Sequence, residues 1–224
     1  MEIIKTFKEN KIGRSFYTTD IHGCYDLLHE QMRLHAFDTS KDVLFVGGDL
    51  ADRGPYSDTV LDYIYEPWFH SIRANHEEML IAAFENPTSR NAYEMLYCNG
   101  GEWFYDCTPE KQKAIYKAFN SLPLAIEIES PQGLIGIIHA QVPMDDWEKF
   151  RNMSQGELYW SGYAIAQWSR TKYDKRDTTD VKGLYKCFVG HSPTNSGEVE
   201  QLGNTFYSDL GSFFRDKISF IEIN

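Results

Sequence analysis

Val43-Leu44-Phe45-Val46-Gly47-Gly48-Asp49-Leu50-Ala51-Asp52-Arg53-Gly54 packs an apolar run, a glycine break and a cluster of charge into one short stretch. Four consecutive apolar residues without polar alternation read as a strand buried on both faces, which needs helices to cover it. The charges follow at once, where the carboxyl end of that strand would lie, and in open α/β sheets ligands collect there. An aspartate directly after a buried strand can bridge two cations through its two oxygens, which makes Asp49 a candidate metal ligand. Asp52 lies three residues further on and is better placed to orient a neighbouring imidazole. Arg53 carries a planar fork that matches phosphate geometry. A structural Asp–Arg ion pair around a glycine turn is the alternative reading.

Outward from this stretch the pattern repeats. Residues 16–19 read as a strand ending at Asp20, and residues 24–36 hold apolar side chains at a spacing close to the helical period. Residues 59–65 look helical and stop at Pro67, residues 68–73 form a third candidate strand, and residues 77–85 a third helix. Strand–helix alternation implies parallel pairing with helices over the sheet. Residues 90–122 are mostly helical, with Pro109 at the first turn of a helix through Phe119. From Leu124 the pattern turns to β: residues 124–129, 134–138, 185–189, 205–208 and 218–223, with a polar, partly helical insert at 142–183. The expectation is an α/β fold, two sheets forming a sandwich flanked by helices, in a single domain over residues 1–224.

Several of these strand ends carry residues that can hold a metal. Asp20-Ile21-His22 places carboxylate and imidazole on one side of an extended chain, where they can share a metal, or Asp20 caps the turn that Gly23 allows. Asn75 is either the N-cap of a helix or a neutral carbonyl offered to a metal. His76, diverging from it, then faces substrate as a general acid tuned by Asp52. His139 ends Ile135-Gly136-Ile137-Ile138, and His191 ends Cys187-Phe188-Val189-Gly190. One histidine after an apolar strand is usually structural; two of them opposite three other polar strand ends favour ligation. His29, His35 and His70 receive no role. Trp103, Phe104 and Tyr105 read as core or pocket wall, and residues 171–180 as a solvated loop.

Composition narrows the function. With 33 acidic against 22 basic residues and a net charge of -11, the chain repels a polyanion, so nucleic acid is excluded as a main partner. No run approaches the ~20 apolar residues of a membrane span, and the charged start does not read as a secretory signal. Cys24, Cys98, Cys107 and Cys187 form no C-x-x-C pair and suit free thiols in a reducing cytosol, so a cytoplasmic location is expected.

Taken in order, Asp-x-His-Gly, Gly-Asp-x-x-Asp-Arg-Gly, Asn-His-Glu and two separated histidines resemble the metallophosphatase superfamily. Within it the chain resembles the phosphoprotein phosphatase family in its phage and bacterial members. The likeness runs from Asp20 through Asp209 and includes Asn99-Gly100-Gly101 and Gln167-Trp168-Ser169-Arg170. It implies the calcineurin-like metallophosphoesterase fold with two mixed β-sheets. It also implies two divalent metals, manganese first with zinc, iron or nickel as alternatives. Asp20, His22 and Asp49 would hold one ion, and Asp49, Asn75, His139 and His191 the other. Arg53 and Arg170 would grip phosphate oxygens, and His76 paired with Asp52 would be the acid. Thr19 and Ala74 stand where the family usually has glycine, and Gln141 departs two residues after His139; none removes a ligand.

The reaction implied is direct attack of a metal-bridging hydroxide on a phosphomonoester, with a phosphorylated protein or peptide as substrate. The charge of two divalent ions exceeds that of two ligating carboxylates, so the pocket stays positive inside an acidic protein. The alternative within the superfamily is diadenosine tetraphosphate hydrolysis, disfavoured because such enzymes usually carry Asp where Glu77 stands. A non-catalytic binding module would not need His76. Oligomeric state is left open.

Overall fold

The computed structural model describes residues 3–223. Its strands are β1 (Ile4–Phe7), β2 (Ser15–Thr18), β3 (Val43–Val46), β4 (Phe69–Ser71), β5 (Ala125–Ser130), β6 (Gly133–Ile138), β7 (Lys186–Val189), β8 (Glu200–Leu202), β9 (Thr205–Tyr207) and β10 (Ile221–Glu222). One sheet runs β10-β2-β3-β4, the other β1-β5-β6-β7-β9-β8. In the first, β2, β3 and β4 are parallel and β10 is antiparallel to β2. In the second, β6, β7 and β9 are parallel, while β5 and β8 run antiparallel to their neighbours β6 and β9. Both sheets are therefore mixed.

The apolar run at 43–46 explains the layering. Leu44 and Val46 point outward into a core shared with the helices Tyr25–Leu34, Asn75–Glu85 and Pro109–Asn120. Phe45 points the other way, joining Tyr17, Ile126, Ile128, Ile135, Ile137 and Phe188 between the two sheets. Cys187 and Val189 of β7 face a third cluster with Trp147, Phe150, Leu158 and Ala166 from the insert. Because successive side chains alternate between faces, only a strand covered on both sides needs an unbroken apolar run. Each such large side chain contributes roughly 1.5–3 kcal/mol on full burial.

Every strand expected from the pattern is present, within a few residues. Two strands escaped the pattern. β1 and β8 each lie at an edge of the six-stranded sheet, and Lys5, Thr6 and Gln201 on them are exposed, so they show no apolar run. One expectation holds only in part: most of residues 171–180 are exposed, but the segment begins as a helical turn anchored in the fold. Thr171–Asp174 is helical, Tyr173 is buried, and the buried Lys172 bonds Asp145 Oδ1 at 2.7 Å and the Thr179 carbonyl at 2.5 Å. A paired lysine can be buried, and the pairing partner is too far along the chain for local pattern to reveal. Among the described residues no helix is long and apolar enough to cross a membrane, and Cys24, Cys98, Cys107 and Cys187 are all free.

Candidate active site

The carboxyl ends of β2, β3, β4, β6 and β7 converge on one spot, and the loops that leave them turn sharply. Asp20 (φ 48°), His22 (φ 47°), Asp49 (φ 52°), Asp52 (φ 74°), Arg53 (φ 73°) and His191 (φ 63°) all occupy the left-handed region. Each such residue costs on the order of 1 kcal/mol or more, a strain that persists only where surrounding contacts enforce it. Those contacts are visible. Asp20 N donates to the Gly48 carbonyl at 3.1 Å and His22 N to that of Asp49 at 2.8 Å, locking the first two loops together. Gly190 admits the third: a Cβ there would fall 1.9 Å from Asp20 Oδ2.

Asp49 sits at the centre. Its Oδ2 lies 3.5 Å from His22 Nε2, 3.5 Å from His139 Nε2 and 3.9 Å from His76 Nε2. Those separations are too long for direct hydrogen bonds. Two donor groups overlap on it, His22–Asp49–His76 and Asp20–Asp49–His139, with ligand atoms within 4.8 Å of one another in each. The far nitrogens of three imidazoles are engaged by backbone carbonyls: His22 Nδ1 with Ala51 at 3.1 Å, His139 Nδ1 with Gly47 at 2.8 Å, His191 Nε2 with Trp168 at 3.1 Å. Such bonds fix the tautomer and turn the other nitrogen's lone pair inward, as carbonyls do behind metal-ligating histidines. His139 Nε2 and Asn75 Oδ1 are buried without a hydrogen-bond partner. Buried polar atoms are rarely left so, and this oxygen-and-nitrogen donor set without thiolate fits divalent cations.

His76 differs from the other imidazoles. Its Nδ1 meets Asp52 Oδ2 at 2.7 Å, and Asp52 Oδ1 accepts from Trp103 Nε1 at 2.7 Å. His76 is thus oriented by a carboxylate that is itself held, with Nε2 turned towards Asp49. Arg53 and Arg170 line the cavity of about 300 Å³ over the cluster, together with Asp20, Asp49, Asn75, His76 and His191. Arg170 Nη2 donates to the His191 carbonyl at 2.9 Å, and Arg53 Nη1 lies 2.8 Å from His22 Nε2. All ten residues singled out from the sequence meet in this one constellation.

Residues 14–218 match the calcineurin-like phosphoesterase family. The chain belongs to that family. It is 31% identical over 207 residues to serine/threonine-protein phosphatase 2 of Escherichia coli K12, covering 91% of this chain and 90% of the relative. A shorter stretch of 70 residues, 30% of this chain and 26% of the relative, is 36% identical to a symmetrical bis(5'-nucleosyl)-tetraphosphatase of Buchnera aphidicola. Among solved structures, that of a putative diadenosine tetraphosphatase superposes with a TM-score of 0.60 at 17% identity, covering 99% of this chain and 98% of that one.

The electrostatics of this calcineurin-like centre call for cations. Burial pushes Asp20 and Asp49 well above the usual carboxylate range, reinforced by Asp209 at Asp20 and by Asp20 at Asp49. Burial drives His22 and His139 well below the usual imidazole range, helped by His76 and His191 respectively. Burial and Arg170 bring His191 down to about 4. Divalent ions meet both deficits: they hold the carboxylates as anions and take neutral imidazole lone pairs.

Four residues that shape the site carried no role in the sequence reading. Glu77, noted in the sequence as the position where tetraphosphatases usually carry Asp, is buried and accepts backbone N–H bonds from Ala74 (2.9 Å), Asp49 (3.1 Å) and Leu50 (2.8 Å). It carries the Asp49 turn. Trp103, read as wall, holds Asp52. Gln167 Nε2 donates to the carbonyls of Arg73 at 3.0 Å and Ala74 at 3.3 Å, beside Asn75. Asp209 lies just past β9, a further strand end, and lines the cavity. Burial raises it to about 6, against the pull of Gly211 N and the nearby arginines. The rule that picked out the other strand ends, a polar residue after a candidate strand, applied there too. Thr19, noted as a departure from glycine, donates its hydroxyl to Asp20 Oδ2 at 2.5 Å.

Proposed function

We propose that this chain is a metal-dependent serine/threonine protein phosphatase, cytoplasmic, with residues 1–224 as one catalytic domain. The observation that carries this reading is the Trp103–Asp52–His76 relay set beside a donor cluster and two arginines. Similarity over most of its length to a bacterial serine/threonine-protein phosphatase supports a phosphorylated protein or peptide as substrate.

Asp20, His22 and Asp49 would hold one divalent ion; Asp49, Asn75, His139 and His191 would hold a second, with manganese first and zinc, iron or nickel as alternatives. The ions would supply an activated water and charge neutralisation for the phosphoryl group. The protein supplies the rest. Arg53 and Arg170 orient the phosphate oxygens through paired N–H donors. Asp52 keeps the proton on His76 Nδ1 and stabilises the imidazolium, so that Nε2 can protonate the departing serine or threonine oxygen. The left-handed loops hold these groups before substrate arrives, which removes the cost of ordering them during the reaction.

The test restores each metal in turn to stripped protein and measures phosphate release from a phosphoserine peptide. His76→Asn should keep its metals and lose ~10²–10⁴-fold in turnover, the usual share of a general acid; unchanged turnover removes His76 from the mechanism. The 70-residue match to a tetraphosphatase supports a second reading, hydrolysis of diadenosine tetraphosphate. Preference for that dinucleotide over phosphopeptides by orders of magnitude would reverse the ranking.

A further inference from the structure

Arg53 enters the site on a fully constrained backbone. Its φ is 73°, its N–H donates to the Gly100 carbonyl at 2.9 Å, and a Cβ on Gly100 would come within 2.8 Å of Arg53 N. The end of the side chain is held by much less. Among the described residues no carboxylate lies within ion-pair distance of the guanidinium. Its contacts there are His22 Nε2, 2.8 Å from Nη1, and the ring of Phe213, whose centroid lies 4.8 Å from Cζ. His22 Nε2 is the nitrogen that points at Asp49, and once committed to a cation it cannot also accept from Arg53. Phe213 is then the remaining support.

Phe213 is 42% exposed and lines a neighbouring cavity that shares Arg53 with the site, yet its position is fixed by the site itself. It belongs to the short helix Ser212–Arg215. Ser212 Oγ donates to the Asp20 carbonyl at 2.6 Å, and Gly211 N to Asp209 Oδ1 at 2.9 Å. The ring also stands edge-on to His22, 5.5 Å between centroids. The turn that presents Phe213 is thus tied to the backbone of Asp20, a member of the donor cluster, and to Asp209, which lines the cavity beside it.

We propose that Phe213 is a positioning residue: its ring is the platform that holds the Arg53 guanidinium over the site and so sets the grip on a phosphate oxyanion. The attraction between a cation and an aromatic face supplies the force. The proposal rests on Arg53 gripping phosphate, as read above.

The experiment measures binding of inorganic phosphate to the manganese-restored protein by calorimetry, together with metal content. Phe213→Leu, which keeps apolar bulk but loses the π face, should raise the phosphate dissociation constant about two- to fivefold, the worth of a partly exposed cation–π contact. Metal content should stay as in the wild type, and Phe213→Trp should restore binding. In an Arg53→Ala background, Phe213→Leu should have no further effect. Wild-type affinity in Phe213→Leu, with Arg53→Ala weakened, overturns the platform and leaves the phosphatase reading standing. Equal losses in both backgrounds, or failure of Phe213→Trp to restore binding, overturn it as well. An Arg53→Ala protein that binds phosphate normally overturns both.

Discussion

Asp52→Asn isolates the acid from the rest of the site, and the structure dictates how the variant must behave. Both oxygens of this buried carboxylate are committed, Oδ1 to Trp103 Nε1 and Oδ2 to His76 Nδ1, each at 2.7 Å. The indole can only donate. The amide oxygen of the variant must therefore stay on Trp103, which turns its NH₂ towards His76. His76 Nδ1 then has to accept, its proton moves to Nε2, and a neutral imidazole is a poor acid. The charge effect acts in the same direction. Burial lowers the His76 pKa and the Asp52 carboxylate opposes that; removing the charge leaves burial unopposed. Turnover of a phosphoserine peptide should fall ~10²–10⁴-fold, or about 3–5.5 kcal/mol of barrier. The drop for para-nitrophenyl phosphate should be about tenfold or less, because its leaving group needs little protonation. Adding Trp103→Phe to Asp52→Asn frees the amide to flip and should recover part of the lost rate, although Trp103→Phe alone slows the enzyme. Equal losses on both substrates, or a phosphopeptide rate near wild type, would refute the relay.

Other predictions concern what holds the site together. Glu77→Ala leaves three buried N–H groups around Asp49 without an acceptor; chemical denaturation should show a loss of about 3–5 kcal/mol, and a loss under ~1 kcal/mol would mean the turn stands without it. Glu200 tests a pH dependence away from the centre. Burial pushes its carboxyl up, but hydrogen bonds from Arg176 and Ser196 outweigh that and hold it down to about 2. A depressed carboxyl stabilises the fold above its unfolded pKa of about 4.5 and loses that contribution as pH falls through about 2. Because the Arg176 side chain is 50% exposed, Glu200→Gln should cost only about 1 kcal/mol at neutral pH, a few degrees in thermal midpoint, with the gap to wild type closing towards pH 2. Phe45→Ala empties the space between the two sheets and should cost about 3–5 kcal/mol; a near-neutral result in denaturant unfolding would contradict the two-sheet core.

The candidate donor residues were legible because each lies in the short connection after a strand or at the start of the helix that follows it, so chain order alone brings Asp20, Asp49, Asn75, His139 and His191 to one edge. The apolar run at Val43–Val46 disclosed the layering for the same local reason. What local pattern could not disclose was support from a distance. Trp103 reaches Asp52 across fifty-one positions, and Lys172 finds Asp145 across twenty-seven. Glu77 carries every mark of a residue in the first turn of a helix, and its partners become apparent only once the Asp49 turn lies over it. The left-handed backbone of Asp20, His22, Asp49 and His191 is equally silent in sequence, since non-glycine residues seldom adopt it without tertiary enforcement. Edge strands β1 and β8 bury too little to write a pattern.

Calorimetric titration of metal-stripped protein with manganese tests the centre most directly. Two ions should bind per chain, and Asp49→Asn should weaken both, because that carboxylate is shared between the two donor groups. Failure of the wild type to bind manganese, or an Asp49→Asn variant that still takes up two ions at wild-type affinity, would contradict it.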